Sequence, residues 1–146
     1  EILTAKNVKL VVMLYDGAIR FGEEGIKRIQ NKDIEGSGIF IGKAQRIVLE
    51  LLNVLDMENG GEIAKNLERL YTYINRNLTL ANIKREASFI KDSLIILRDL
   101  REGWKELSEN KTKEAVLDRN QQKENVFKKN TAPSSVPVFS KLAVQA

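Results

Sequence analysis

"VVMLYDGAIRF", residues 11–21, sets apolar side chains at helical spacing and interrupts them with Tyr15, Asp16 and Gly17. Spacing of this kind marks an amphipathic helix. Glycine in a helix interior costs about 1 kcal/mol relative to alanine, and two more follow at Gly22 and Gly25. Ala18, Gly22 and Gly25 fall together on the apolar side. A stripe without side chains lets another backbone approach closely. The stretch therefore reads as a core helix that trades intrinsic stability for tight packing, against a neighbouring helix or against a bound chain.

Outward from this stretch, the chain divides into helix-length segments. The first is expected over residues 5–30. "NKD" at 31–33 ends it and offers Asp33 as the N-cap of a second helix over 34–56. "MENGG" at 57–61 reads as a turn, followed by a third helix over 62–82. A weak break near Asn82 precedes a fourth helix from Lys84 or Arg85 to Leu107. No alternation of β-branched and aromatic residues suggests a strand. Four such helices with short connections give an all-α fold, an antiparallel up-down four-helix bundle over residues 1–107. Residues 108–146 form a C-terminal extension. Its first part is polar enough for only a marginal helix. Its second part holds both prolines, Pro133 and Pro137, and reads as extended chain. Val136, Val138, Phe139, Leu142 and Val144 could dock this extension on the bundle.

Composition narrows the function. The 146 residues contain no cysteine and no histidine. That removes disulfides, thiolate and imidazole metal sites, and the nucleophile systems built on histidine. A carboxylate-bridged di-iron bundle needs Glu-x-x-His on two helices and fails for the same reason. Phosphate-cradling loops and dinucleotide fingerprints do not occur. The chain is expected to be no enzyme and to need neither metal nor cofactor. No apolar run approaches the roughly 18 residues of a membrane span, so membrane insertion is not expected. The net charge is +4, but residues 1–107 are almost balanced, with 17 basic and 16 acidic side chains. Without a basic face there is no footprint for nucleic acid.

A bundle helix needs an apolar stripe of roughly 100°. The third helix matches this, with Ile63, Leu67, Leu70, Tyr71, Ile74, Leu78 and Ala81. The first, second and fourth carry stripes of roughly 160–180°, and Ile39, Leu49 and Ile95 fall outside even these. Contiguous apolar surface beyond the needs of a core marks an interaction site. The candidate walls are Val12, Tyr15, Ile19 and Gly22 on the first helix, Ile39, Ile41, Val48 and Leu52 on the second, and Ile96 and Trp104 on the fourth. An alternative use of the same faces is self-association, or cover by the chain's own residues 108–146, in a structural or regulatory bundle.

Four blocks in order, "LYDGAI", "GKAQRIVLELLNVLD", "GGEIAKNLERLYTYI" and "LRDLREGWKEL", make residues 3–107 resemble the flagellin-specific export chaperone family, FliS. The matching positions are Tyr15, Asp16, Gly17, Gln45, Gly60, Gly61, Glu62, Asn66, Tyr71 and Trp104. The resemblance implies a four-helix bundle in the bacterial cytoplasm. It implies binding of the C-terminal segment of flagellin, as helical pieces joined by extended chain, and delivery to the flagellar export gate. It also implies a tyrosine-containing segment ahead of the first helix, associated with covering the client groove and with gate contact. This sequence opens at "EILTAKN", so that segment is expected to be either missing or trimmed. Family members generally stop soon after the fourth block, so residues 108–146 depart from the pattern, as a natural extension or a joined partner peptide.

Overall fold

A computed structural model describes residues 5–124. They form four helices: α1 (Ala5–Gln30), α2 (Ile34–Asn53), α3 (Gly61–Lys84) and α4 (Ala87–Glu124). Among the described residues there is no strand.

The α1–α2 corner follows from local chemistry. The Asp33 N–H donates to the Arg28 carbonyl at 2.8 Å and the Lys32 N–H to the Ile29 carbonyl at 2.9 Å. This is the Schellman pattern, with Lys32 in the left-handed position at φ 62°. Asp33 then caps α2, its Oδ1 accepting the Gly36 N–H at 2.9 Å. Arg28 Nη1 holds the other carboxylate oxygen at 2.8 Å. That guanidinium, helped by the Gly36 N–H, keeps the Asp33 carboxyl below the usual carboxylate range.

Two boundaries differ from the sequence expectation. Helix α2 stops at Asn53, not Asp56. Asp56 instead accepts the Asn59 backbone N–H at 3.1 Å and its side-chain amide at 3.0 Å. A side chain that bonds its own backbone competes with the helix. Helix α4 does not stop at Leu107 but continues to Glu124. No glycine or proline follows Gly103 before Pro133, so nothing in that stretch breaks it. The expected end of the bundle domain at residue 107 thus falls inside a continuous helix. The apolar positions expected to dock, Val136 to Val144, lie outside the described residues.

Packing pairs run antiparallel. Along α1, positions 16, 22 and 25 meet α4 at 101, 94 and 90. Positions 17 and 25 meet α2 at 47 and 41. The helices form a ring in which α1 and α3 are each flanked by α2 and α4, and α1 approaches its neighbours along more of their length than α3 does. The core is built from Tyr15, Ile41, Val48, Tyr71, Leu97 and Trp104, among others. Burial of such side chains, at about 1.5–3 kcal/mol each, is what holds the ring together.

Candidate functional site

The "YDG" of α1 sends three side positions to three tasks. Tyr15 is fully buried, and its hydroxyl meets that of Tyr71 at 2.5 Å. Asp16 takes Arg101 Nε of α4 at 2.5 Å. At Gly17 a Cβ would stand 3.0 Å from Ile47 Cδ1 of α2. Gly22 faces α4, where a Cβ would lie 2.8 Å from Leu94 Cδ2. Gly25 lies between Ile41 and Ile90, each 3.4 Å away. The glycines of α1 are therefore filled by the bundle's own helices. They let α1 sit close to two neighbours at once, which also accounts for the width of its apolar stripe.

The seams beside α1 are closed further by charge and by rings. Toward α4, Arg98 reaches Glu23 at 2.6 Å in addition to the Asp16–Arg101 pair. Toward α2, the rings of Phe21 and Phe40 lie 6.0 Å apart, with the Lys43 ammonium over both. Exposed ion pairs are worth little individually. Their location matters more than their energy, because long charged side chains shield the apolar seam beneath them.

The α3 side differs. Its link to α2 is Gln45, whose Nε2 donates to Thr79 Oγ1 at 2.8 Å and to the Asn75 carbonyl at 3.3 Å. Next to Gln45 on α2 lie Gly38 and Gly42. A Cβ at Gly42 would meet nothing within 4 Å, and at Gly38 only Asn82 Oδ1 at 3.6 Å. Leu49 shares their face two turns on and is 50 % exposed, and Ile39 is 51 % exposed. Toward α4, Ser93 Oγ donates to the Ile74 carbonyl at a long 3.4 Å. Phe89 and Ile96 share the face of Ser93 and are only partly buried. Two buried amide atoms of α3, Asn75 Oδ1 and Asn77 Nδ2, have no hydrogen-bond partner. The backbones pack more closely around α1 than around α3, which nevertheless buries Leu67, Tyr71, Ile74 and Leu78.

The candidate walls separate accordingly. Tyr15, Gly22, Ile41, Val48 and Trp104 are buried in the bundle and present no surface to a partner in this conformation. Val12, Ile19, Leu52 and Ile96 pack against the core and keep part of their surface. Ile39 stands free. Leu49 belongs with Ile39 but was not among the candidates, although its position outside the apolar arc of α2 was the signal. Ile95, outside the arc of α4, is likewise 60 % exposed.

The motif positions are builders of the bundle. Gln45 ties α2 to α3, and Asn66 accepts a hydrogen bond from Arg69. Gly60 has no room for a Cβ, which would stand 2.6 Å from the Asp56 carbonyl oxygen. Gly61 has φ +59°. The family described as "Flagellar protein FliS" matches residues 1–111. The chain belongs to the FliS family. A flagellar secretion chaperone FliS of Campylobacter jejuni is 38 % identical over 104 residues, covering 71 % of this chain and 81 % of that one. The FliS of Vibrio cholerae is 35 % identical, covering 73 % and 79 %. That of Bacillus subtilis is 30 % identical, covering 76 % and 82 %. The FliS match ends at residue 111, well short of the end of α4 at Glu124. Among the described residues no helix is long and apolar enough to cross a membrane, and no acidic cluster could hold a metal ion.

Proposed function

We propose that this chain is a flagellar secretion chaperone of the bacterial cytoplasm, one that binds the C-terminal segment of flagellin, prevents its premature polymerisation and delivers it to the flagellar export gate. Membership of the FliS family supports the chaperone role, and the relatives' names give the flagellar context. The observation that carries a client site on this chain is the open face of α2. There Ile39 and Leu49 stand exposed on the helix that carries Gly38 and Gly42, with empty space where a side chain at Gly42 would be. A client helix seats its i, i+3, i+4 anchors in such an apolar groove, and the glycines let its backbone come close.

The mechanism is mass action. A client segment that stays disordered when free folds as it binds, and its apolar face is withdrawn from self-association. No covalent step is involved. Isothermal titration of the full chain against a C-terminal flagellin fragment tests the reading. Stoichiometric binding is expected, weakened roughly tenfold or more by Leu49→Glu or Ile39→Glu, since a buried unpaired charge opposes the seat. Full-strength binding by both variants would remove this face from the site. No binding by the parent chain would overturn the chaperone reading.

A further inference from the structure

The α1–α2 corner and the α3–α4 turn lie at the same end of the bundle. Together they leave a cavity of about 310 Å³ lined by Ile29, Lys32, Asp33, Ile34, Ser37 and Arg85. We propose that this cavity captures a chain-terminal carboxylate borne on an aliphatic last residue. The proposal rests on the reading that the client offers its C-terminal segment, and assigns the end of that segment to this cavity.

The volume lies at the lower end of the range for ligand pockets, about 300–1,000 Å³. Ile29 and Ile34 provide the aliphatic wall. Lys32 and Arg85 provide the charge, and neither side chain makes an ion pair or hydrogen bond among the described residues. The anion already lining the cavity does not answer them. Both Asp33 oxygens are engaged, one by the Gly36 N–H and one by Arg28. Ser37 Oγ donates its proton to the Ile34 carbonyl and makes no hydrogen bond to either cation. An arginine and a lysine lining one cavity suit a carboxylate, which Arg can hold through two parallel bonds.

The backbone points the same way. Lys32 and Arg85, at φ 62° and 56°, are the two non-glycine residues with positive φ among the described residues. Each follows the C-terminus of a helix, where glycine avoids the clash of a Cβ. The sequence places a cation at both, and both line one cavity. Strain retained against a cheaper alternative points to a function for the side chain. The competing role for these cations is to complement the helix dipoles. The two roles differ in sign for stability.

The test is a two-dimensional NMR titration of the full chain with acetyl-Ala-Ala-Leu as the free acid and as the C-terminal amide. Saturable shifts are expected at the backbone amides of Lys32, Ile34 and Arg85 with the acid, and binding of the amide weaker by roughly tenfold. Lys32→Gly and Arg85→Gly should each reduce binding of the acid by a similar factor while raising Tm by about 2–4 °C, because glycine relieves the left-handed position. Equal binding of acid and amide, no saturable shift at millimolar peptide, or glycine variants that bind unchanged and melt lower would overturn the proposal. A flagellin C-terminal fragment titrated in parallel separates the two readings. Fragment binding without tripeptide binding removes the cavity and keeps the chaperone. Tripeptide binding without fragment binding does the reverse.

Discussion

The hydroxyls of Tyr15 on α1 and Tyr71 on α3 meet at 2.5 Å across the bundle, with their rings edge to face at 6.2 Å. This pair links α1 and α3, which face each other diagonally across the ring. Burial, together with the facing phenol, pushes the Tyr15 hydroxyl well above its ordinary value of 10.0. Burial pushes Tyr71 up as well. Each group binds its proton more tightly folded than unfolded. Its contribution to stability is therefore complete below pH 10.0 and is lost as pH rises beyond that. An alkaline unfolding limb is expected to begin near this pH. Tyrosinate absorbance from these two side chains should appear together with loss of helical circular dichroism. Tyr15→Phe with Tyr71→Phe removes both phenols, and with them much of the limb. A limb of unchanged steepness in the double variant would show that the pair does not drive it.

The acid limb has a different origin. Asp33 sits below its ordinary value of 3.8 because of Arg28 and the Gly36 N–H, and Asp56 because of Asn59. Glu24, also paired with Arg28, is lowered from 4.5. For groups depressed in the folded state, stability is present above the unfolded value and is lost as pH falls through the folded one. Stability should therefore decline below about pH 4. Asp33→Asn can still cap α2 but cannot carry the charge. Chemical denaturation at several pH values should show a shallower acid limb for this variant, and parallel curves would assign the limb to other carboxylates.

Local chemistry was legible in the sequence where a residue acts on its near neighbours. Asp33 capping α2 is such a case, and so is the end of α1 at Gln30. The early stop of α2 was not, because the Asp56 contacts to Asn59 replace a helical turn that the apolar pattern alone would continue. The length of α4 was only half legible: the polar composition of residues 108–124 suggested a marginal helix apart from the bundle, whereas α4 runs on through them without a breaker. The arcs told correctly that Ile39, Leu49 and Ile95 leave the core. They could not tell how deep Tyr15, Ile41, Val48 and Trp104 lie. An arc gives a direction on one helix, whereas depth depends on which neighbours close over it.

The room around each glycine predicts opposite outcomes for two substitutions. At Gly60 an added Cβ would meet the Asp56 carbonyl oxygen at 2.6 Å and Ala64 Cβ at 2.5 Å. The first of these is backbone and cannot turn aside, so Gly60→Ala should destabilise by about 1–3 kcal/mol. At Gly42 nothing lies within 4 Å. There the helix propensity of alanine acts alone, and Gly42→Ala should stabilise by about 0.5–1 kcal/mol. If the open face of α2 seats a client backbone, Gly42→Ala pairs that gain with weaker client binding, and Gly42→Leu weakens binding further without unfolding the bundle. Urea denaturation alongside titration with the flagellin fragment measures both quantities. A stabilised Gly42→Leu variant that binds as the parent does would show that the close approach at this glycine serves no client.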